Sequence, residues 1–191
     1  MKKQIVTALL YTVITAVLLG ILYPLAVTGM ARVLFPRQAS GQLIERDGVV
    51  VGSHLIGQPF SGPGYFWSRP SAAGTGYDAA NSSGSNMGPT NKDLATRVAA
   101  TVATLDPKGA GGVPIDLATA SGSGLDPDIS PAAAFYQVGR VATERRVGEA
   151  AVRGLVSAHV MQRQFGLLGE PRVNVLELNL DLDRMTRAPS K

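Results

Sequence analysis

The longest apolar segment of the chain lies close to its start. From Ile5 to Ala31, twenty-seven consecutive residues carry no charged side chain. A helix rises about 1.5 Å per residue, so this segment would reach roughly 40 Å, which exceeds the ~30 Å hydrocarbon core of a bilayer. It is also too long for the apolar part of a cleaved secretory signal, which has about 7–15 residues. The pattern predicts a single-pass transmembrane helix over residues 5–31, after a short tail at residues 1–4.

The remaining residues, 32–191, are numerous enough for one domain with its own core. Helical spacing of apolar residues predicts three helices, at 91–105, 130–147 and 149–164. Alternating apolar and polar residues predict three strands, at 49–56, 113–117 and 176–182. Strands and helices mix without regular alternation, so we expect one transmembrane helix followed by a single α+β domain.

The boundaries of these helices depend on capping and breaking residues. Asn91 and Ser130 are typical N-caps, and Pro131 suits the first turn that follows Ser130. Gly166 is the predicted terminator of the third helix. Within the membrane segment, Gly20, Pro24 and Gly29 predict a helix that is kinked or ended at the proline and packed against other membrane helices at the glycines.

Charge and composition restrict the compartment and the partners. The formal net charge is +4, but residues 32–191 carry only +2, which is not the footprint of a nucleic-acid-binding protein. Basic residues flank both ends of the membrane segment and nearly tie under the positive-inside rule. Because large following domains translocate largely regardless of charge, we expect a cytoplasmic N-terminus and an extracytoplasmic domain. The absence of cysteine fits either an oxidising compartment or chance in a bacterial-type protein.

Familiar catalytic patterns are missing from the sequence. There is no thiol nucleophile, no metalloprotease or phosphate-loop motif and no serine-hydrolase elbow. His54 and His159 are far apart, and His159 lies on an apolar stripe that is typical of a core histidine. We therefore predict no catalytic residue, no metal ligand and no cofactor bound by the chain alone.

A short motif occurs twice in the chain. Residues 83–89 and 121–127 both have the form S-G-S-[NG]-x-[GD]-P and both lead toward a predicted helix. They are either two ordinary capping turns or two loops on one face that bind a ligand or a partner. The candidate residues are Ser83, Gly84, Ser85, Asn86, Ser121, Gly122, Ser123 and Gly124.

An aromatic segment is the second candidate surface. Tyr65, Phe66 and Arg69 combine residue types that are enriched at interface hot spots, but such aromatics are equally common in cores. Contact with lipid headgroups is a further reading of this cluster.

Taken in order, several segments resemble the C subunit family of the bacterial high-affinity potassium-transporting P-type ATPase, the Kdp complex. The resemblance covers nearly the whole chain, and it is the joint order of the pieces that is specific. The matching pieces are Tyr23-Pro24-Leu25, residues 52–58, Gly64-Tyr65-Phe66, residues 69–72, 83–86, 116–126, 140–142 and 173–179.

The resemblance implies a subunit of a pump in the bacterial inner membrane. In that family a channel-like subunit carries potassium, a P-type ATPase subunit hydrolyses ATP, and the C subunit supports assembly and raises ATP affinity. Gln137 matches the glutamine proposed in the family to touch nucleotide, whereas the plain interpretation is a polar residue on an apolar helix. Gly139 departs from the expected pattern of that helix.

Three hypotheses follow from the sequence. The leading one is a non-catalytic accessory subunit whose helix docks in the membrane and whose outer domain covers the potassium entrance or locks the subunits together. The second is a stand-alone membrane-anchored binding protein whose Ser-Gly loops hold a small anion. The third, an anchored hydrolase, lacks a recognisable nucleophile–base pair.

Overall fold

The computed structural model describes residues 1–107, 109 and 111–186, so the last five residues of the predicted domain lie outside the described part. Contacts divide the chain into two compact units, Met1–Val51 and Gly52–Lys191. The first unit is dominated by one long apolar helix, and the second combines helices with short strands. This architecture confirms the predicted α+β class with one N-terminal apolar helix.

The N-terminal helix runs without interruption from Lys2 to Leu34 and is long and apolar enough to cross a membrane. It consists of α1 (Lys2–Val17), a π-helical turn (Leu18–Leu22) and α2 (Tyr23–Leu34). The N–H of Tyr23 donates to the carbonyl of Leu18, five residues back. Pro24, which has no N–H, directly follows this widened turn. The proline therefore does not end the helix, which continues for ten residues beyond it.

The rest of the first unit is a short helix and most of a hairpin. These elements are α3 (Pro36–Ala39), β1 (Leu43–Arg46) and β2 (Val49–Ser53), whose last two residues already belong to the second unit. Asp47 and Gly48 join β1 to β2 with positive φ angles of 53° and 77°. Positive φ at both central positions matches the twist of a two-residue hairpin and explains the Asp-Gly pair. The strand predicted at 49–56 is thus shorter than expected.

The described residues of the second unit begin with a long irregular segment and continue with five helices and two strands. No helix or strand lies between β2 and α4, a segment that is rich in glycine and proline. The elements are α4 (Lys92–Leu105), α5 (Ile115–Ala118), β3 (Asp128–Ile129), α6 (Pro131–Arg145), α7 (Glu149–Ala158), β4 (Val173–Asn174) and α8 (Val175–Thr186).

The two predicted N-caps are confirmed. The Asn91 side chain accepts hydrogen bonds from the N–H groups of Asp93 and Leu94, at 2.7 and 3.3 Å. The Ser130 hydroxyl accepts one from the N–H of Ala133 at 3.1 Å. Each cap satisfies backbone donors that the first helical turn leaves free.

The strand predicted at 176–182 is wrong, because these residues form α8. Leucines alternate there, but Val175, Leu178 and Leu182 also recur at helical spacing, and all three are buried. The Asn174 side chain accepts a hydrogen bond from the N–H of Glu177 at 3.1 Å and so caps the helix. The segment satisfies both the alternation of a strand and the spacing of a helix, and the helix forms because it buries these three side chains.

Two further boundary predictions are also wrong. Residues 115–118 form a helical turn rather than a strand, since Pro114 precedes it and the N–H of Thr119 closes it on Ile115. The third predicted helix stops at Ala158, not at 164. Gly166 lies instead at the turn of a hairpin, where Met161 pairs with Arg172 and Gln164 with Leu168.

The core of the second unit lies among α6, α7 and α8. Helix α6 packs against α7, α7 contacts α8, and β3 pairs antiparallel with β4 beside them. The fully buried residues of the contiguous core cluster are Phe66, Ala133, Ala134, Val138, Val141, Val152, Val156, Val173, Leu178 and Leu182. One of them, Phe66, comes from the irregular segment rather than from a helix or strand.

Candidate functional site

The aromatic segment Gly62–Trp67 is held in the domain by side-chain amides. Phe66 is 0% exposed. Its backbone N–H donates to Oδ1 of Asn179, and its carbonyl accepts from Nδ2 of the same residue, both at 2.9 Å. A single amide thus satisfies both backbone groups of Phe66, as a neighbouring strand would. Phe66 is therefore a core residue, in line with the core interpretation of the aromatic cluster.

Gln137 does the same for the next residue. Its Oε1 accepts from the N–H of Trp67 at 2.7 Å, and its Nε2 donates to the Trp67 carbonyl at 3.1 Å. The Nε2 group also reaches the carbonyl of Ala133, and Oε1 accepts from Arg140. At 2% exposure, Gln137 is buried with both ends of its amide occupied by protein.

Two arginines of α6 complete the attachment of the aromatic segment. The Arg140 guanidinium lies 3.7 Å from the centroid of the Trp67 ring, and that of Arg145 lies 4.3 Å from the centroid of Tyr65. Arg140 also donates to the carbonyl of Tyr65, and Arg145 forms a 2.8 Å ion pair with Asp183. Burial lowers the pKa of Arg140 to about 10, so the guanidinium stays charged at neutral pH.

Arg69 lies apart from Phe66 and belongs to another network. It forms a 3.1 Å ion pair with Asp126, and its backbone carbonyl accepts a short hydrogen bond from the Tyr77 hydroxyl. Burial raises the pKa of that Tyr77 hydroxyl. Of the predicted aromatic–arginine cluster, only Tyr65 and Phe66 are therefore held together, while Arg69 joins the second Ser-Gly loop.

The structure brings the two Ser-Gly loops into direct contact. The Ser83 N–H donates to the carbonyl of Ser123 at 3.0 Å, and the Ser82 hydroxyl donates to the same oxygen at 3.0 Å. A Cβ on Gly84 would lie only 2.8 Å from the carbonyl oxygen of Gly122. The glycine is thus required by the close approach of the two backbones.

Gly124 occupies the tightest position of this contact. Its φ is +68°, and a Cβ there would lie 2.6 Å from both the Ala73 nitrogen and the Ser83 carbonyl oxygen. The Ser71 hydroxyl donates to the Gly124 carbonyl at 2.6 Å. The repeated motif is thus where two distant loops fit against each other. Whether Ser85, Asn86, Ser121 and their neighbours also bind a partner or ligand stays a prediction.

The membrane-helix candidates lie in the first unit, away from these networks in the chain. A Cβ on Gly20 or Gly29 would meet no atom within 4 Å, so both glycines leave open space on the helix surface. No residue of the helix Lys2–Leu34 is buried. Neither glycine is needed for packing within the described chain.

The residues that organise the domain are not evident from local sequence patterns. The alternation of residues 176–182 predicts Asn179 on the polar face of a strand, and no pattern marks Arg140 or Arg145 for a role in the domain. The available signal was an amide inside a leucine-rich segment, because a polar group in an apolar run needs a dedicated partner. His159 was correctly expected to be satisfied, since its Nε2 lies 3.0 Å from the Asp181 carboxylate.

Among residues 1–107, 109 and 111–186, no group of three or more His, Cys, Asp or Glu side chains is arranged to hold a metal ion. The candidate site is thus a set of interlocked loops and side-chain amides, in which most polar groups bind the protein's own backbone.

Comparison with known proteins gives a consistent result over the whole chain. The family model described as "KdpC: K+-transporting ATPase, c chain" matches residues 5–184. A potassium-transporting ATPase KdpC subunit of Koribacter versatilis is 56% identical over 191 residues, covering 100% of this chain and 99% of the relative. That of Acidobacterium capsulatum is 61% identical over 179 residues, covering 94% and 97%, respectively. That of Methylococcus capsulatus is 55% identical over 188 residues, covering 96% and 97%.

Proposed function

The chain belongs to the KdpC family, the c chains of K+-transporting ATPases, and on that premise we propose that it is a non-catalytic accessory subunit needed for assembly of the pump. Its partners in this proposal are a potassium channel-like subunit and a P-type ATPase subunit. The complex moves potassium at the expense of ATP, and this subunit raises the affinity of the ATPase subunit for ATP.

The observation that supports the proposal is a long apolar helix whose side chains are not buried in any protein core of the described chain. Helix Lys2–Leu34 could cross a membrane, yet none of its residues is buried in the described structure. Apolar side chains that lack protein neighbours are stable in lipid or against other membrane helices. Gly20 and Gly29 would let a partner helix approach closely, so the helix serves docking as well as anchoring.

The proposed location is the bacterial inner membrane, with the N-terminus in the cytoplasm and residues 32–191 outside. Because the chain has no cysteine, single cysteines report on this orientation directly. A membrane-impermeant maleimide applied to spheroplasts should label Ser157→Cys and spare Gln4→Cys, since both positions are exposed. The reverse labelling pattern would invert the proposed orientation.

The link to ATP is proposed for Gln137. ATP is cytoplasmic, whereas the proposed orientation places residue 137 outside, so direct contact with nucleotide and this orientation are alternatives that the cysteine labelling decides. Direct contact with nucleotide requires its amide to leave the Trp67 backbone, which costs two hydrogen bonds inside the domain. The matched control is Asn179→Ala, which removes an equivalent amide from Phe66. A rise in the apparent KM for ATP of the assembled pump in Gln137→Ala alone supports the nucleotide role. An equal rise in both variants assigns the effect to the fold.

The assembly role is tested by co-purification from the native membrane in mild detergent. A tagged full-length chain should bring down a channel-like subunit and a P-type ATPase subunit, and deletion of the chain should prevent the other two from purifying together. If the tagged chain emerges folded and alone, the accessory-subunit proposal fails and a stand-alone binding protein replaces it.

A further inference from the structure

A hairpin in the second unit exposes its apolar tip. The hairpin comprises residues 161–172, and its tip, residues 164–168, contains Phe165, Leu167 and Leu168. Phe165 is 92% exposed, Leu167 80% and Leu168 60%. The backbone is closed by its own hydrogen bonds, with Gln164 and Leu168 exchanging two at 2.9 Å. The tip therefore keeps its shape without burying its side chains.

Phe165 is unfavourable at its position in two ways. Its φ is 53°, and the φ of the following Gly166 is 74°. Turns with two successive positive φ angles favour Asn-Gly, because a bulky side chain in the left-handed region costs roughly 1–2 kcal/mol. An exposed aromatic ring adds an unfavourable hydration term. At 92% exposure, Phe165 has little contact within the described chain to offset either cost, which makes it a candidate for contact with a partner.

A charged recess of about 490 Å³ lies at the base of this hairpin. Residues Gly169–Arg172 form part of its wall, and the exposed Ile115 stands at its edge. Four carboxylates face two guanidinium groups there, giving a formal charge of −2. The charged lining residues are Arg69, Asp116, Asp126, Asp128, Glu170 and Arg172.

The negative charge of the recess is only partly compensated. Arg172 pairs with Oδ2 of Asp128 at 3.0 Å, Arg69 pairs with Asp126 and Arg163 pairs with Glu170, so three of the four carboxylates have an arginine partner. Oδ1 of Asp128, however, is buried without a hydrogen-bond partner among the described residues. Burial raises the pKa of this carboxyl more than Arg172 lowers it. A cationic group from outside would stabilise the ionised carboxylate.

We propose that the hairpin tip and the charged recess form one docking surface for another protein subunit of the pump. The partner segment presents a Lys or Arg side chain, which enters the recess, and neighbouring apolar residues, which pack on Phe165 and Leu167. This inference rests on the proposed accessory role and adds the surface that carries it.

A protein segment fits this surface better than a lipid bilayer does. Bilayer headgroups carry phosphates and often a net negative charge, which the recess repels. A concave recess also needs a protruding group to fill it, as a protein loop provides. Interfaces of this kind combine aromatic and aliphatic anchors with surrounding charges that determine the choice of partner.

Site-specific photocrosslinking tests the tip. Phe165→Cys, the single cysteine of the full-length chain, is labelled with a benzophenone maleimide and irradiated in native membranes. We expect a covalent adduct between the chain and another pump subunit, and no such adduct from Leu55→Cys. Leu55 is likewise an exposed apolar residue, with 54% of its surface accessible, but it does not line the recess. Adducts with lipid only, or equal protein adducts from both positions, would overturn the proposal.

Charge reversal tests the recess with a matched pair. Glu170 and Glu149 are both exposed and both pair with an arginine, Arg163 at 2.5 Å and Arg153 at 3.1 Å. Glu170→Lys should reduce co-purification of the other subunits at least about tenfold, as expected for an interface hot spot, while Glu149→Lys retains it. The double variant Phe165→Ser, Leu167→Ser should lose as much or more.

The controls separate this inference from the proposed function. If the unaltered chain brings down no other pump subunit, the accessory role itself is wrong. If the unaltered chain, Glu170→Lys and the double variant all bring them down equally, the role stands and only the docking surface is wrong.

Discussion

Phe66 and Phe165 lie on irregular backbone in the same unit but in opposite environments. Phe66 is completely buried, and the amide of Asn179 binds both of its backbone groups. Phe165 is almost fully exposed, on a hairpin that closes its own backbone hydrogen bonds. The aromatic segment thus depends on the rest of the domain for its structure, whereas the hairpin tip, residues 164–168, closes on itself. Only the second kind of segment can offer apolar side chains to a partner without losing its shape.

The largest expected difference in the free energy of unfolding is between the variants Phe66→Ala and Phe165→Ala. Phe66→Ala should lower the free energy of unfolding by about 3–5 kcal/mol, because it leaves a cavity at the centre of the core. Phe165→Ala should change it by less than about 0.5 kcal/mol, since no protein contact is removed. Urea unfolding of the full-length chain in mild detergent, followed by far-UV circular dichroism, measures both. Equal losses of unfolding free energy in the two variants would contradict the difference between the two environments.

Sequence reasoning could not have separated these two phenylalanines. Each has a glycine and other apolar residues within two positions, in Gly64-Tyr65-Phe66-Trp67 and Phe165-Gly166-Leu167-Leu168. What distinguishes them is an amide more than a hundred residues away in the chain for Phe66, and a local turn for Phe165. Local signals predicted the caps at Asn91 and Ser130 correctly, because a cap involves only the next three residues.

The same reason explains the failure at α8. Leucines at 176, 178, 180 and 182 satisfy a strand pattern, while residues 175, 178, 179 and 182 satisfy a helical one. The helix is favoured because it buries Val175, Leu178 and Leu182 and directs Asn179 to Phe66. That partner lies in an irregular segment whose position no local pattern specifies. The Ser-Gly repeat, by contrast, is visible in the sequence, but neither of its two interpretations, capping turns or loops on one face that bind a ligand or partner, included the contact between the two loops.

The next largest difference in the free energy of unfolding comes from the groups that hydrogen-bond each backbone segment. Asn179→Ala should cost about 2–4 kcal/mol, because it leaves the N–H and carbonyl of Phe66 buried without partners. Gln164→Ala, in the hairpin, should cost less than about 0.5 kcal/mol, because its pairing with Leu168 uses backbone atoms alone. The same urea titration in detergent compares the two variants. A substantial loss in Gln164→Ala would show that the hairpin also depends on side chains.

The contact between the Ser-Gly loops extends the comparison to two glycines of one motif. Gly124→Ala places a side chain at a φ of +68°, 2.6 Å from two backbone atoms. It should cost at least about 1–2 kcal/mol. Gly122→Ala meets nothing within 4 Å and should be close to neutral. Thermal unfolding of the two variants side by side provides the measurement, and similar Tm values would contradict the close packing of these loops.

The smallest effect has the opposite sign. Phe165→Asn should raise the free energy of unfolding by up to about 1 kcal/mol, because asparagine tolerates positive φ better than phenylalanine and exposes no apolar ring. The same variant should bind the other pump subunits more weakly, so stability and assembly would change in opposite directions. Phe66→Asn must instead lower both, since it places an amide in the core. Urea unfolding and co-purification of the same preparations measure the two quantities. If the Phe165→Asn chain is less stable than the unaltered one, Phe165 contributes to the stability of the fold, and a role in partner binding does not explain its exposure.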